Sequence, residues 1–290
     1  MKTKLLSALT LSAVLFAACS NDNEEPVDNW NGEIHLSTAS ADLRMTKAAP
    51  DDQIASGQQI GLFINEDALS ATVTYTPNLV YTANGSGGLA GATQYYPETG
   101  SGVKISGYHP YNSGTADAFN FSVAADQSGN VDYYNSDLLY SAEASYARQK
   151  TAHPLTFDHL LAKITYTLVA GSGSPDLSGA TVKIINTLPT VEFDRIAGTI
   201  SAAKGTVTAI TPNAGGAIIV PQTIAAGTKL IEVTLASGGT LHYTVPTGSV
   251  TFAKGEVYHY TITVNLTEIS LTTTITPWTS VGQTGIAEMD

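Results

Sequence analysis

The chain has 290 residues, with 13 Lys and Arg against 25 Asp and Glu, for a formal charge of −12. That balance argues against nucleic acid, whose phosphates need a basic face, and against electrostatic binding to anionic lipid. Charged residues make up only 13%, about half the usual share. Thr, Ser, Gly, Ala and Tyr fill the gap, a composition that suits exposed sheet faces better than helix surfaces.

The N-terminus carries Lys2 and Lys4, then an apolar run from Leu5 to Ala18, then Cys19. Basic residues ahead of a short apolar stretch form a secretory signal. The run falls short of the roughly 20 residues that span a bilayer core. Ala17 and Ala18 are small enough for signal peptidase, so residues 1–18 read as a signal peptide cut between Ala18 and Cys19. The Leu15-Phe16-Ala17-Ala18-Cys19 segment is similar to a bacterial lipobox, which implies acylation (palmitate-type chains) of the Cys19 thiol. At about 0.8 kcal/mol per buried CH₂, two or three chains anchor durably where one does not. Removing the leader with Lys2 and Lys4 takes the charge from −12 to −14. Cys19 is the sole cysteine, which excludes an intramolecular disulfide, and its acylation would leave no thiol for a cysteine–zinc site or a cysteine nucleophile. Residues 19–32, with Asp22, Glu24, Glu25 and Asp28, form an acidic flexible tether. It reads equally as a spacer or, by resemblance, as a surface-export signal.

Period-two alternation runs through the rest of the chain. The predicted faces are Ile60/Leu62/Ile64, Phe119/Phe121/Val123, Leu160/Ala162/Ile164/Tyr166/Leu168, Ile231/Val233/Leu235, Leu241/Tyr243/Val245 and Tyr258/Tyr260/Ile262/Val264/Leu266. Each is expected to be a strand with one buried and one wet face. Glycine-rich turns separate them, as at Asn84–Gly88, Gly171–Pro175 and Ser237–Gly239. No long amphipathic helix is evident; Ser136–Lys150 suggests a short helix or an irregular loop. The expected class is all-β, with sandwiches. A break near His153–Phe157 divides it into an N-terminal domain, 33–153, and a C-terminal domain, 154–290.

The catalytic motifs that announce a hydrolase, a nucleotide site or a metalloenzyme are missing. No residue is nominated as catalytic, cofactor-binding or metal-binding, and no cofactor is expected. His153, Asp158 and His159 fit no strong metal spacing, so His153 and His159 are expected at a surface or strand edge. His242 and His259 fall on outward strand faces. The carboxylate pairs Asp51-Asp52 and Glu66-Asp67 sit near turns. Ten tyrosines between Tyr75 and Tyr146 would either fill sandwich cores with their hydroxyls at the rim or stack on sugars, the first being favoured.

Several segments in order resemble one family. They are the lipobox with its acidic tether, Gln59-Ile60-Gly61-Leu62-Phe63-Ile64, Gln94-Tyr95-Tyr96-Pro97 and Val103-Lys104-Ile105-Ser106-Gly107-Tyr108-His109-Pro110-Tyr111. Asp126-Gln127-Ser128, Asp137-Leu138-Leu139-Tyr140-Ser141, Phe157-Asp158-His159-Leu160-Leu161-Ala162-Lys163-Ile164 and Ile275-Thr276-Pro277-Trp278 come next along the chain. Together they resemble the fimbrillins of Bacteroides-type bacteria, the fimbrial subunit and adhesin lipoproteins. The resemblance implies two tandem transthyretin-like β-sandwiches and a non-enzymatic role as a subunit or tip adhesin of surface fimbriae. It implies an outer-membrane lipid anchor on Cys19. It also implies cleavage after a basic residue, Arg44 or failing that Lys47, which removes the lipid and the first strand, 33–44. Ile34, Leu36 and Leu43 would be that strand's apolar side chains. A strand from another fimbrial subunit would then fill the vacated edge by β-strand addition. Leu271, Thr273 and Ile275 belong either to a donated strand or to the last strand of the C-terminal domain. A host or bacterial surface ligand is a further expected partner. The alternative reading is a glycan-binding surface lipoprotein of a polysaccharide-uptake system.

Overall fold

The computed structural model describes residues 30–39, 53–66, 78–98, 102–265, 268–278 and 285–287. The chain divides into two units, Met1–Asn31 and Gly32–Asp290, and the sheets all belong to the second. Its regular structure is almost entirely strand, with one six-residue helix, Asn130–Asn135, among the described residues. The all-β expectation holds.

In the N-terminal half a six-stranded antiparallel sheet runs in the order Leu89–Gly91, Leu79–Ala83, Gln59–Glu66, Val103–His109, Leu139–Tyr146, Asp158–His159. Its centre differs from the expected one-sided strand. Ile60, Leu62 and Ile64 are buried, but so are Gly61, Phe63 and Asn65 between them. The second face is covered because Phe63 and Tyr108, ring centroids 6.3 Å apart, enter the large core of the C-terminal half. Glycines make this possible. Gly61 lies opposite Tyr108, Gly107 opposite Leu62, and Gly91 opposite Tyr81. A Cβ on Gly61 would stand 2.2 Å from the Tyr108 ring, so the ring lies across bare backbone there.

Ser136–Lys150 also departs from the expected short helix or irregular loop. Its middle is the strand Leu139–Tyr146, which pairs with Val103–His109 on one side and Asp158–His159 on the other. The short helix lies just upstream. Pairing with Val103–His109, backed at its start by Asp158–His159 on Leu139 and Tyr140, overrides the weak strand propensity of Ser141-Ala142-Glu143-Ala144-Ser145.

The C-terminal half stacks a five-stranded sheet and a four-stranded sheet. The first has the order Ala217–Ile219, Ala162–Ala170, Glu256–Val264, Ile269–Pro277, Gly285–Ala287. The second is Thr208–Ile210, Thr181–Thr187, Lys229–Thr234, Thr240–Thr244. Their inner faces share one apolar core containing Ile164, Ile184, Val233, Tyr243, Tyr260 and Ile262. Glu256–Val264 alternates strictly, with Tyr258, Tyr260, Ile262 and Val264 buried. Ile269–Pro277 is an interior strand, between Glu256–Val264 and Gly285–Ala287. Trp278 closes the core beyond it, 8% exposed.

The two halves are sewn together by a shared sheet. Ala118–Ser122 pairs along its whole length with Thr190–Asp194, which also pairs with Thr199–Ile200. Just past it, Arg195 is 3% exposed. Its Nη1 donates to the carbonyls of Gly114 (2.9 Å) and Asn112 (3.3 Å) and to the Tyr108 hydroxyl (3.3 Å). Its guanidinium lies over the Phe63 ring, 5.5 Å from the centroid.

Candidate functional site

The first strand occupies a slot with two walls. Beyond Gly32, at φ +86°, the chain passes through a bridge at Glu33 into the strand Leu36–Ala39. On one side residues 32–39 follow the 88–96 segment antiparallel, with bridges Glu33–Tyr95 and Ser37–Gly88. The Tyr96 N–H donates to the Gly32 carbonyl (2.9 Å) and the Ile34 N–H to the Gln94 carbonyl (2.8 Å). On the other side Leu36–Ala39 pairs parallel with His153–Thr156, from Leu36 opposite His153 to Ala39 opposite Thr156. The His153 N–H donates to the His35 carbonyl (2.9 Å). Ile34 and Leu36 point inward, 6% and 8% exposed, and His35 points out. This is the alternation that β-strand addition exploits: main-chain bonds to each wall and buried pockets for alternate side chains.

The walls also touch each other. Tyr96, on one wall, and His153, on the other, are each 4% exposed. The Tyr96 hydroxyl is hydrogen-bonded to Nε2 of His153. Gln149 Nε2, which can only donate, lies 3.1 Å from His153 Nδ1. Nδ1 therefore accepts, Nε2 carries the proton, and it donates to the Tyr96 oxygen. The Tyr96 O–H in turn donates to the Ala147 carbonyl at 3.1 Å. The Tyr146 ring packs against His153 at 4.6 Å, and the Arg148 guanidinium lies 5.6 Å over Tyr96. Burial holds His153 below the usual histidine range and raises Tyr96. His153 is thus no surface histidine. Nothing in His153-Pro154 signals the inward orientation; Tyr95-Tyr96 does alternate, with Tyr95 55% exposed and Tyr96 buried.

His159 is also enclosed. Its ring stacks flat on Trp278 at 3.9 Å, and Nδ1 meets the Asp137 carboxylate at 2.9 Å. His109, 2% exposed, reaches the Asp137 carbonyl (2.9 Å) and Gln58 Oε1 (3.2 Å). Burial lowers its pKa. These contacts fasten Asp137 and His159 to neighbouring strands. His242 and His259 lie on outer faces as expected, held by Glu232 (3.1 Å) and Thr165 (2.9 Å). Among the described residues no three His, Cys, Asp or Glu side chains converge as metal ligands. Of the tyrosines expected to choose between core and platform, Tyr81, Tyr96, Tyr108 and Tyr133 are buried. An open cleft of about 360 Å³ beside Asn186, Leu188, Gln222 and Thr228 holds no charged side chain. The signal cleavage pair Ala18 and Cys19, the maturation candidates Arg44 and Lys47, and Leu43 lie outside the described residues.

Comparison with known proteins gives a consistent result. The sequence profile of the fimbrillin-like family matches residues 46–278. A candidate fimbrium subunit of Bacteroides uniformis, Fim1C, is 29% identical over 307 aligned residues, covering 99% of this chain and 100% of that protein. The crystal structure of a candidate cell adhesion protein from Bacteroides uniformis superposes with a TM-score of 0.66 at 22% identity, covering 86% of this chain and 98% of that one. One from Bacteroides ovatus gives 0.62 at 18% identity, covering 85% and 96%. The chain belongs to the fimbrillin-like family.

Proposed function

We propose that the protein is a structural subunit or tip adhesin of cell-surface fimbriae, assembled by strand exchange at the first-strand slot. The observation that carries this reading is the two-walled seat of residues 32–39, with main-chain bonds to each wall and with Ile34 and Leu36 plugged inward. The magnitudes favour exchange. Two buried aliphatic side chains contribute about 3–6 kcal/mol together. Ordering the backbone opposes this by about 1–2 kcal/mol per residue. A segment of this length stays seated while the chain holds it nearby and, once cut, is held weakly enough to give way to a competing strand supplied in excess. Arg44 and Lys47 come soon enough after it for cleavage there to free it. The wider reading keeps Cys19 as the acylated residue that delivers the precursor to the outer membrane. It takes 33–153 and 154–290 as two tandem transthyretin-like sandwiches sharing the Ala118–Ser122/Thr190–Asp194 pairing. No catalytic role is needed.

Arginine-specific proteolysis of the purified precursor, followed by native gels and N-terminal sequencing, tests it. The expected result is a new terminus at Met45 and a ladder of oligomers. A cleaved chain that stays monomeric, at concentrations where other subunits are also supplied, overturns assembly through this slot.

A further inference from the structure

Resting on that strand-exchange reading, we infer that Tyr96 and His153 are the positioning residues of the slot: a side-chain clasp that joins its walls and stays behind when the first strand leaves.

The two partners are attached to different walls. Tyr96 belongs to the wall that bonds Gly32 and Ile34, and His153 to the wall that bonds His35 and pairs with Leu36. Neither side chain belongs to the strand itself. Their mutual hydrogen bond therefore links wall to wall on the buried side. Removing residues 32–39 deletes main-chain partners from each wall but no member of the relay Gln149–His153–Tyr96–Ala147. A slot with no such link would lose its spacer with its strand, and its apolar lining, including the fully buried Leu155, would close together. The clasp keeps the walls one strand apart, so an incoming strand meets a preformed seat, and ordering costs at binding are reduced.

The relay is complete only with His153 neutral, because Gln149 donates to Nδ1. A proton on Nδ1 would set one N–H against another. The titratable and charged groups that face the ring include Tyr96 from one wall, Tyr146 from the six-stranded sheet, and Arg148 above Tyr96, while His35 points away from it. Burial disfavours the charged form of the ring, offset in part by the Ala147 carbonyl. Acid should therefore loosen the clasp before it unfolds the body.

The test uses the full chain with one specific protease site inserted between Ala39 and Gln53. After cutting, a fluorescent peptide of the sequence Gly32 to Ala39 is added in large excess over the released strand, and its capture is monitored at pH 7.5 and 5.5. Wild type should capture the peptide, several-fold more slowly at pH 5.5. Tyr96→Phe, which deletes the hydroxyl, should slow capture at least tenfold while leaving the peptide's release rate within about threefold. His153→Gln should make capture nearly independent of pH over this interval. If a variant fails to fold before cutting, seen as lost near-ultraviolet dichroism, the other carries the comparison. Equal capture rates in wild type and Tyr96→Phe, or a pH response that survives in His153→Gln, overturn the clasp and leave exchange standing. A wild-type slot that captures no peptide at either pH overturns the exchange reading and the clasp with it.

Discussion

The strands Leu36–Ala39 and Glu256–Val264 are seated in opposite ways. Glu256–Val264 runs between two long neighbours, parallel to Ala162–Ala170 and antiparallel to Ile269–Pro277, paired with each over nearly its full length. Its four inward side chains sit at the centre of the large core. Leu36–Ala39 has one short parallel partner and isolated bridges on the other side, and two buried side chains anchor its approach. Strands within one fold can therefore be held firmly or lightly. What separates them is ladder length and the number of apolar side chains committed to the core, since opening free energy tracks buried contacts.

The strongest way to break the comparison is to attack the firmly held part. Phe193 is fully buried among Phe119, Tyr108 and Tyr140, with centroids 5.6, 5.8 and 6.4 Å away. Phe193→Ala should lower global stability by about 3–5 kcal/mol in urea unfolding; a loss confined to the first strand would show that the halves do not share a core. Gly61→Ala drives a Cβ into the Tyr108 ring and should cost about 1–3 kcal/mol, seen as a lower unfolding midpoint. Leu36→Ala should weaken seating by about 2 kcal/mol, the low end for a buried leucine, and only locally. Amide exchange should quicken at Tyr96 and His153 and stay unchanged at Tyr260 and Ile262; equal acceleration at all four would remove the distinction.

Acid gives a graded test. Burial lowers the His109 pKa from 6.5. The folded state therefore binds its proton less readily than the unfolded state, and stability falls as pH drops below about 6.5. The unfolding midpoint should decline over that range, with a shallower slope in His109→Gln. Least affected should be the exposed Lys204–Glu192 pair at 3.5 Å. Lys204→Ala should change stability by less than about 0.5 kcal/mol, and a larger loss would mean that the shared sheet depends on its surface charges.

Strand positions were largely legible because alternation reports burial on one face, as in Tyr258, Tyr260, Ile262 and Val264. The same rule misread Gln59–Glu66. A strand covered on both faces has no wet face to alternate with, and the clue was instead Gly61, placed to accept a ring from across the sheet. Leu139–Tyr146 escaped notice because its strand character comes from two partners distant in sequence, not from its own small and polar residues. Ile34 and Leu36 were correctly picked as inward residues of the first strand. The clasp was not, since Tyr96 and His153 are 57 residues apart and only the folded sheet makes them neighbours.

The parallel register of Leu36–Ala39 with His153–Thr156 carries a directional consequence. Reversal would turn the ladder antiparallel and misalign every bond that His153–Thr156 offers, so an occupant must enter with the same N-to-C sense. Molecules joined through that seat would all face one way, each offering a vacancy at one pole and a donor at the other. Such a filament has unlike ends, and growth stops wherever a member arrives whose own seat stays filled.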